Sequence, residues 1–159
     1  LWRRVRSAIL GYRYWMDEPG NDVMWFWSEN HTLCFHTAQY LAGQLFPHER
    51  FLASGRSGEQ QRAIAAERLA LWFDAIDRHG FVEWNSAPYY PVDYIGLFAL
   101  YQLADDAALR QRAQRVTQRG VCDVDGEGGH GLSYTGCMSG VVPDVWLGGF
   151  GSINSRSLP

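Results

Sequence analysis

The stretch WFWSENHTLCFH, residues 25–36, sets a carboxylate, a carboxamide and an imidazole side by side at Glu29, Asn30 and His31. Proton abstraction next to a sugar carboxylate needs a donor that stabilises the developing enolate-like charge, a base, and an acid for the leaving oxygen. Asn30 has the chemistry for the first role and His31 for the second, with His36 available as a further imidazole. Ser28 is a helix N-cap residue, so the triplet falls in a first turn, where Glu29 also suits the helix dipole. His31 is thus read both as a site residue and as a well-bonded structural histidine, and His36 as lining rather than catalyst.

A second group follows in VEWNSAPYYPVDY, residues 82–94. Tyr89, Tyr90 and Tyr94 are available as the acid. Glu83 precedes the next helix and Asp93 stands in its first turn, so Glu29, Glu83 and Asp93 gather at one end of two helices. Such carboxylates could instead be the acid and base of a glycosidase, a case decided by their separation. Trp25, Trp27, Trp84 and Tyr90 can stack on sugar rings, with Asn85 beside them to hydrogen-bond. The alternative for these aromatics is a hydrophobic staple or packing between layers.

Metal chemistry finds less support. His31 and His36 are rotated by about 140° around a helix and cannot chelate one ion as an i, i+4 pair does. His31 and Cys34 are only two ligands, and Cys34, Cys122 and Cys137 have no zinc or disulfide spacing. GEGGHG, residues 126–131, lacks the strand and the Lys-Ser/Thr of a phosphate loop and reads as a loop with His130 near the site. No metal or cofactor is expected.

The elements that must position these residues are helical. Helix one covers Trp2 to Tyr14, before DEPGND breaks the chain. Helix two runs from its Ser28 cap to Phe46, stopped by Pro47. Helix three opens on the capping-box pair Ser57 and Gln60 and ends at Gly80. Helix four starts at Pro91 and reaches Ala104; helix five, capped by Asp105 or Asp106, fades near Gly120. Residues 121–159 are Gly-rich and irregular.

Charge alternates along this series. No Asp, Glu, Lys or Arg lies between Asn30 and Pro47, and only Asp93 between Pro91 and Ala104, while helices three and five are heavily charged. Uncharged helices are buried or face a lumen, and charged ones cover the outside. On helix two, Cys34, Ala38, Leu41 and Leu45 form an apolar stripe. Glu29, Thr32, His36, Tyr40 and Gly43 form a neutral polar face, read as a cavity lining or else as a polar network in a packed core. GQLFPHE after helix two is echoed by YQLADDA about 58 positions on, a length suited to a helix-pair repeat.

At 159 residues with a formal charge of −3, the chain has the size of one domain and no electrostatic case for nucleic acid or a membrane surface. No apolar run spans a bilayer, and the N-terminus lacks a signal-peptide pattern. The expected setting is a soluble protein of a bacterial cytoplasm or periplasm.

The blocks MWFWSENHTLCFHTAQYLAGQLFP, FLASGRSGEQ and GFVEWNSAPYYPVDYIGLFAL resemble large, mostly uncharacterised bacterial all-helical proteins. The resemblance covers residues 24 to about 112. More distantly the chain is similar to the (α/α) toroid domains of heparinase II/III-like and alginate-lyase-like polysaccharide lyases. Those lyases imply an Asn or Gln that neutralises the substrate carboxylate, a His base and a Tyr that acts as acid or base, of which only Asn30 and His31 match in place. The expectation is an all-α, (α/α) toroid-type stack of helical hairpins over 1–120, with helices two and four inside and one, three and five outside. Five helices cannot close such a ring, so part of a larger toroid is expected. Its expected work is lyase-like or glycoside hydrolase-like action on a polysaccharide or oligosaccharide in the lumen. A non-catalytic glycan-binding or scaffolding domain is the alternative, and an isomerase is a further one.

Overall fold

A computed structural model describes residues 1–122 apart from 22, 23, 84, 85 and 87, with side chains up to residue 118. Its helices are α1 (Trp2–Gly11), α2 (Glu29–Leu45), α3 (Gly58–His79), α4 (Tyr90–Leu103) and α5 (Ala107–Cys122). Among the described residues no strand forms; Arg50 and Ser57 make one isolated bridge. Trp84, Asn85 and the loop with His130 lie outside the described residues.

Local chemistry sets the helix ends. Ser57 accepts the N–H of Gln60 while the Gln60 side chain accepts from Ser57, the reciprocal capping box expected there. Gly80 ends α3 with φ 71°, in the region where glycine carries no Cβ penalty. Asp106, not Asp105, caps α5, accepting from Ala108 and Leu109. Asp105 is used elsewhere, by Arg62 and Tyr40. Pro91 occupies the first turn of α4, which begins one residue earlier than expected, at Tyr90.

Helix one stops at Gly11 instead of Tyr14. Tyr12 is extended (φ −73°, ψ 143°), and the Tyr14 N–H leaves the helical ladder to donate to the Glu18 carboxylate at 2.9 Å. Arg13 then donates to the carbonyls of Met16, Glu18 and Asn21. The segment is fastened to α3 by Asp17, which accepts from Arg56 at 2.8 Å and Arg68 at 2.9 Å. Leu10, Tyr14, Ala42, Phe46 and Phe51 form the apolar cluster that holds α1 to the α2–α3 turn.

Helix α2 is the central element. α3 runs antiparallel to it: the far end of α3 reaches the start of α2, where Trp72 Nε1 donates to the Glu29 carbonyl at 3.2 Å. At the other end Gly43 lets the backbones meet, because a Cβ there would collide with the Gly58 carbonyl oxygen and the Arg62 nitrogen. Both obstacles involve backbone that cannot rotate away. Gly43→Ala should therefore destabilise the protein by about 3 kcal/mol, the upper range for overpacking, read from the urea midpoint.

α4 runs parallel to α2. Cys34 Sγ lies 3.5 Å from the Val92 carbonyl near one end, and Gln44 bridges the Leu103 carbonyl and the Asp105 N–H at the other. These last contacts make neighbours of the two echoed segments, GQLFPHE and YQLADDA.

The faces of α2 are used differently from the cavity reading. His36, Tyr40 and Gly43, with Thr37 and Gln39, are buried, and the apolar stripe is the more open side, with Ala38 and Leu45 exposed. The neutral side chains bond inward: Gln39 donates to Gln61 at 2.6 Å, Tyr40 to Asp105 at 2.7 Å, and the His36 ring packs 4.0 Å from that of Trp15. Absence of charge on this face marks burial in a polar network, the second of the two readings.

Candidate functional site

The parallel arrangement brings the N-terminal ends of α2 and α4 together, with Val82 and Glu83 beside them. Gly96 permits the approach, since a Cβ there would lie 2.8 Å from Leu33 Cγ. Val82 folds back so that its N–H donates to Glu29 Oε2 at 2.8 Å. Glu29, Glu83 and Asp93 each then present a carboxylate oxygen, all within 4.8 Å of one another.

This cluster is sheltered. Asp93 is 0% exposed and neither of its oxygens has a hydrogen-bond partner. Glu29 Oε1 and Glu83 Oε2 are likewise buried and unbonded. Among the described residues no Arg or His pairs with any of the three. Burial, then the charges of Glu29 and Glu83, push Asp93 up to about 8. Burial also raises Glu29, opposed in part by the Val82 and Glu83 backbone N–H groups and reinforced by the Glu83 carboxylate. Cys34 is driven up to about 11, first by burial and then by Asp93.

The residues singled out from the sequence divide around this cluster. Asn30 is buried, and the Ser28 hydroxyl donates to its Oδ1 at 2.7 Å. His31 Nδ1 lies 2.5 Å from the same Ser28 oxygen, which has already given its only hydrogen to Asn30. Nδ1 is accordingly the donor, and Nε2 is left as the nitrogen able to accept. The Asn-His pair is thus built into the helix cap. Tyr94 is buried with an unbonded hydroxyl, pushed up to about 12 by burial and then by Tyr90 and Asp93. Tyr90 packs on Phe81 at 5.2 Å and faces Tyr94 at 6.5 Å, while Tyr89 is exposed. His36 and Tyr40 are held in the interior network described above.

Trp25 and Trp27 stand out as surface groups, 62% and 68% exposed, with ring centroids 5.3 Å apart. Trp25 has φ 54°, a conformation uncommon for a bulky residue and one that marks a constrained turn. The turn ends at Ser28, so the indole pair adjoins the first turn of α2.

Two contributors were not singled out as site residues from the sequence: Trp72, which binds the Glu29 carbonyl, and Gly96, which sets the helix separation. Neither carries a local signal, because each matters only through its neighbour on another helix. No protein-family model, curated protein or solved structure matches this chain.

Proposed function

We propose that α2, α3 and α4 are one hairpin step of an (α/α) toroid and that the shared end of α2 and α4 is a carbohydrate-active site. The observation that carries this reading is the exposed Trp25–Trp27 pair beside the helix start that holds His31 and Glu29. Aromatic faces left in water next to polar side chains suit the apolar faces of sugar rings. Two parallel helices with few charges, bridged by a charged antiparallel one, are the arrangement that a toroid would repeat.

Of the two reactions, lyase-like elimination fits better than glycoside hydrolysis. An inverting glycosidase separates its carboxyl groups by about 6.5–9.5 Å to admit a water, and a retaining one by about 5–5.5 Å to admit the sugar. Here the three carboxylates converge, with one oxygen of each within 4.8 Å of the others, and Asp93 is fully buried, away from any sugar bond it would have to reach. In the elimination His31 Nε2 takes the ring proton, the C–O bond at the neighbouring carbon breaks, and the departing oxygen receives a proton from a tyrosine, with Tyr89 the most exposed of the three.

A binding module is the second reading, favoured by the engagement of both Asn30 and His31 Nδ1 with Ser28. Incubating the full chain with acidic and neutral polysaccharides separates the readings. Ultraviolet absorbance of an unsaturated uronate product marks elimination, and new reducing ends without it mark hydrolysis. Binding with neither marks the module. Trp27→Ala should weaken glycan affinity about tenfold, corresponding to ~1.4 kcal/mol of lost stacking. Unchanged affinity in this variant and in Trp25→Ala would remove the platform from the proposal.

A further inference from the structure

We infer that Glu29, Glu83 and Asp93 form a binding site for a calcium-sized divalent cation. Four carboxylate oxygens, Glu29 Oε1, Glu83 Oε2 and both of Asp93, are buried without a hydrogen-bond donor. Buried acceptors are nearly always satisfied, and unpaired buried charges are costly, so a group of this kind calls for a positive partner. The positive ends of the α2 and α4 dipoles, about half a charge each, offset only part of three carboxylates. No basic side chain among the described residues supplies the rest.

The donor set selects the ion class. All the ligands are carboxylate oxygens, which suit hard cations rather than zinc or copper. Cys34, the nearest thiol candidate, has its Sγ on the Val92 carbonyl instead. Ca²⁺ takes oxygen ligands at about 2.4 Å in flexible geometry, whereas Mg²⁺ demands a near-ideal octahedron at about 2.1 Å. Three carboxylate oxygens within 4.8 Å of one another can converge on one ion, and side chains brought together from two helices and a loop suit the ion with the less exacting geometry. The elements are also braced for it: Val82 N–H orients Glu29, and Asp93 is held on a helix that Gly96 keeps close to α2. This inference rests on the carboxylates alone and does not depend on the glycan reading.

Terbium, a luminescent substitute for calcium, gives a direct test, because Trp72 lies on the Glu29 carbonyl and can sensitise its emission. Chelator-treated full chain should show saturable Tb³⁺ emission on indole excitation, displaced by Ca²⁺ and less readily by Mg²⁺. Asp93→Asn should abolish it, and Glu83→Gln, at a less buried position, should weaken binding at least tenfold. Calcium at 100 times its Kd should raise the wild-type Tm by roughly 5–10 °C and leave that of Asp93→Asn unmoved. Folded wild-type protein without Ca²⁺-displaceable emission or a Tm rise would overturn the site, leaving carboxylates that share protons only. Equal binding by wild type, Asp93→Asn and Glu83→Gln would overturn it as well. Trp27→Ala should lose glycan affinity and keep the cation, so failure of one proposal is distinguishable from failure of the other.

Discussion

Asp93→Asn should make the chelator-treated protein more stable than wild type, by about 2 kcal/mol at neutral pH, although it removes a buried polar group from a helix. Asp93 is fully buried and accepts no hydrogen bond, while Glu29 Oε1 and Glu83 Oε2 face the same space equally unbonded. An amide is nearly the same size, carries no charge, and brings two N–H donors to acceptors that lack them. A hydrogen bond to a charged group contributes about 1.5–3 kcal/mol, and relief of like-charge crowding adds to it. The effect also has a definite pH course. Asp93 is raised from 3.8 to about 8 in the folded protein, so the unfolded chain releases its proton first. Wild type should lose stability as pH rises between those values, and the variant should not. Urea midpoints at pH 5 and pH 8 in chelator measure both effects. A variant less stable than wild type at pH 8 would show that the carboxylate has favourable partners.

The second large effect runs the other way with pH. His36 is buried against Trp15, and burial first, then the Arg68 guanidinium, lowers it from 6.5 to about 4; Gln39 and Asp17 oppose this in part. The folded state therefore prefers the neutral ring. As pH falls below 6.5 the unfolded chain takes up a proton that the folded one refuses, and stability drops until about pH 4. At about 1.36 kcal/mol per pH unit the loss approaches ~3 kcal/mol. His36→Phe keeps a ring against Trp15 and should flatten this acid limb. The comparison is cleanest in the Asp93→Asn background, which removes the opposing slope. Parallel acid curves with and without His36→Phe in that background would assign the loss to other groups.

Helix starts are the most legible part of the fold, because a cap is a local event. Ser28, Ser57 and Pro91 each act where their chemistry places them. Helix one reads too long from its sequence because the competing acceptor, Glu18, turns the backbone of Tyr14 from outside the helix. The uncharged character of α2 correctly signals burial, yet periodicity cannot distinguish a wall of a cavity from a packed polar face. That distinction lies in Gln61, Asp105 and Trp15, which come from three other segments. The candidate site is legible as a list and not as a geometry. Glu29, Glu83 and Asp93 fall at one end by their positions before two uncharged helices. Their closeness depends on Gly96 and on the return of Val82 to Glu29.

The parallel placement of α2 and α4 should also order the assembly of the protein in time. α2 and α3 are joined by residues 46–57 and can close as a local hairpin, whereas α4 reaches α2 only after the chain has traversed all of α3. Contacts closed over short loops form early and those closed over long ones late. By this rule the three acids should meet only after the α2–α3 hairpin has closed. Their repulsion should then weaken the docked contact without slowing its approach. Stopped-flow refolding should find Asp93→Asn altering the unfolding rate far more than the folding rate, with a φ-value near zero at this position.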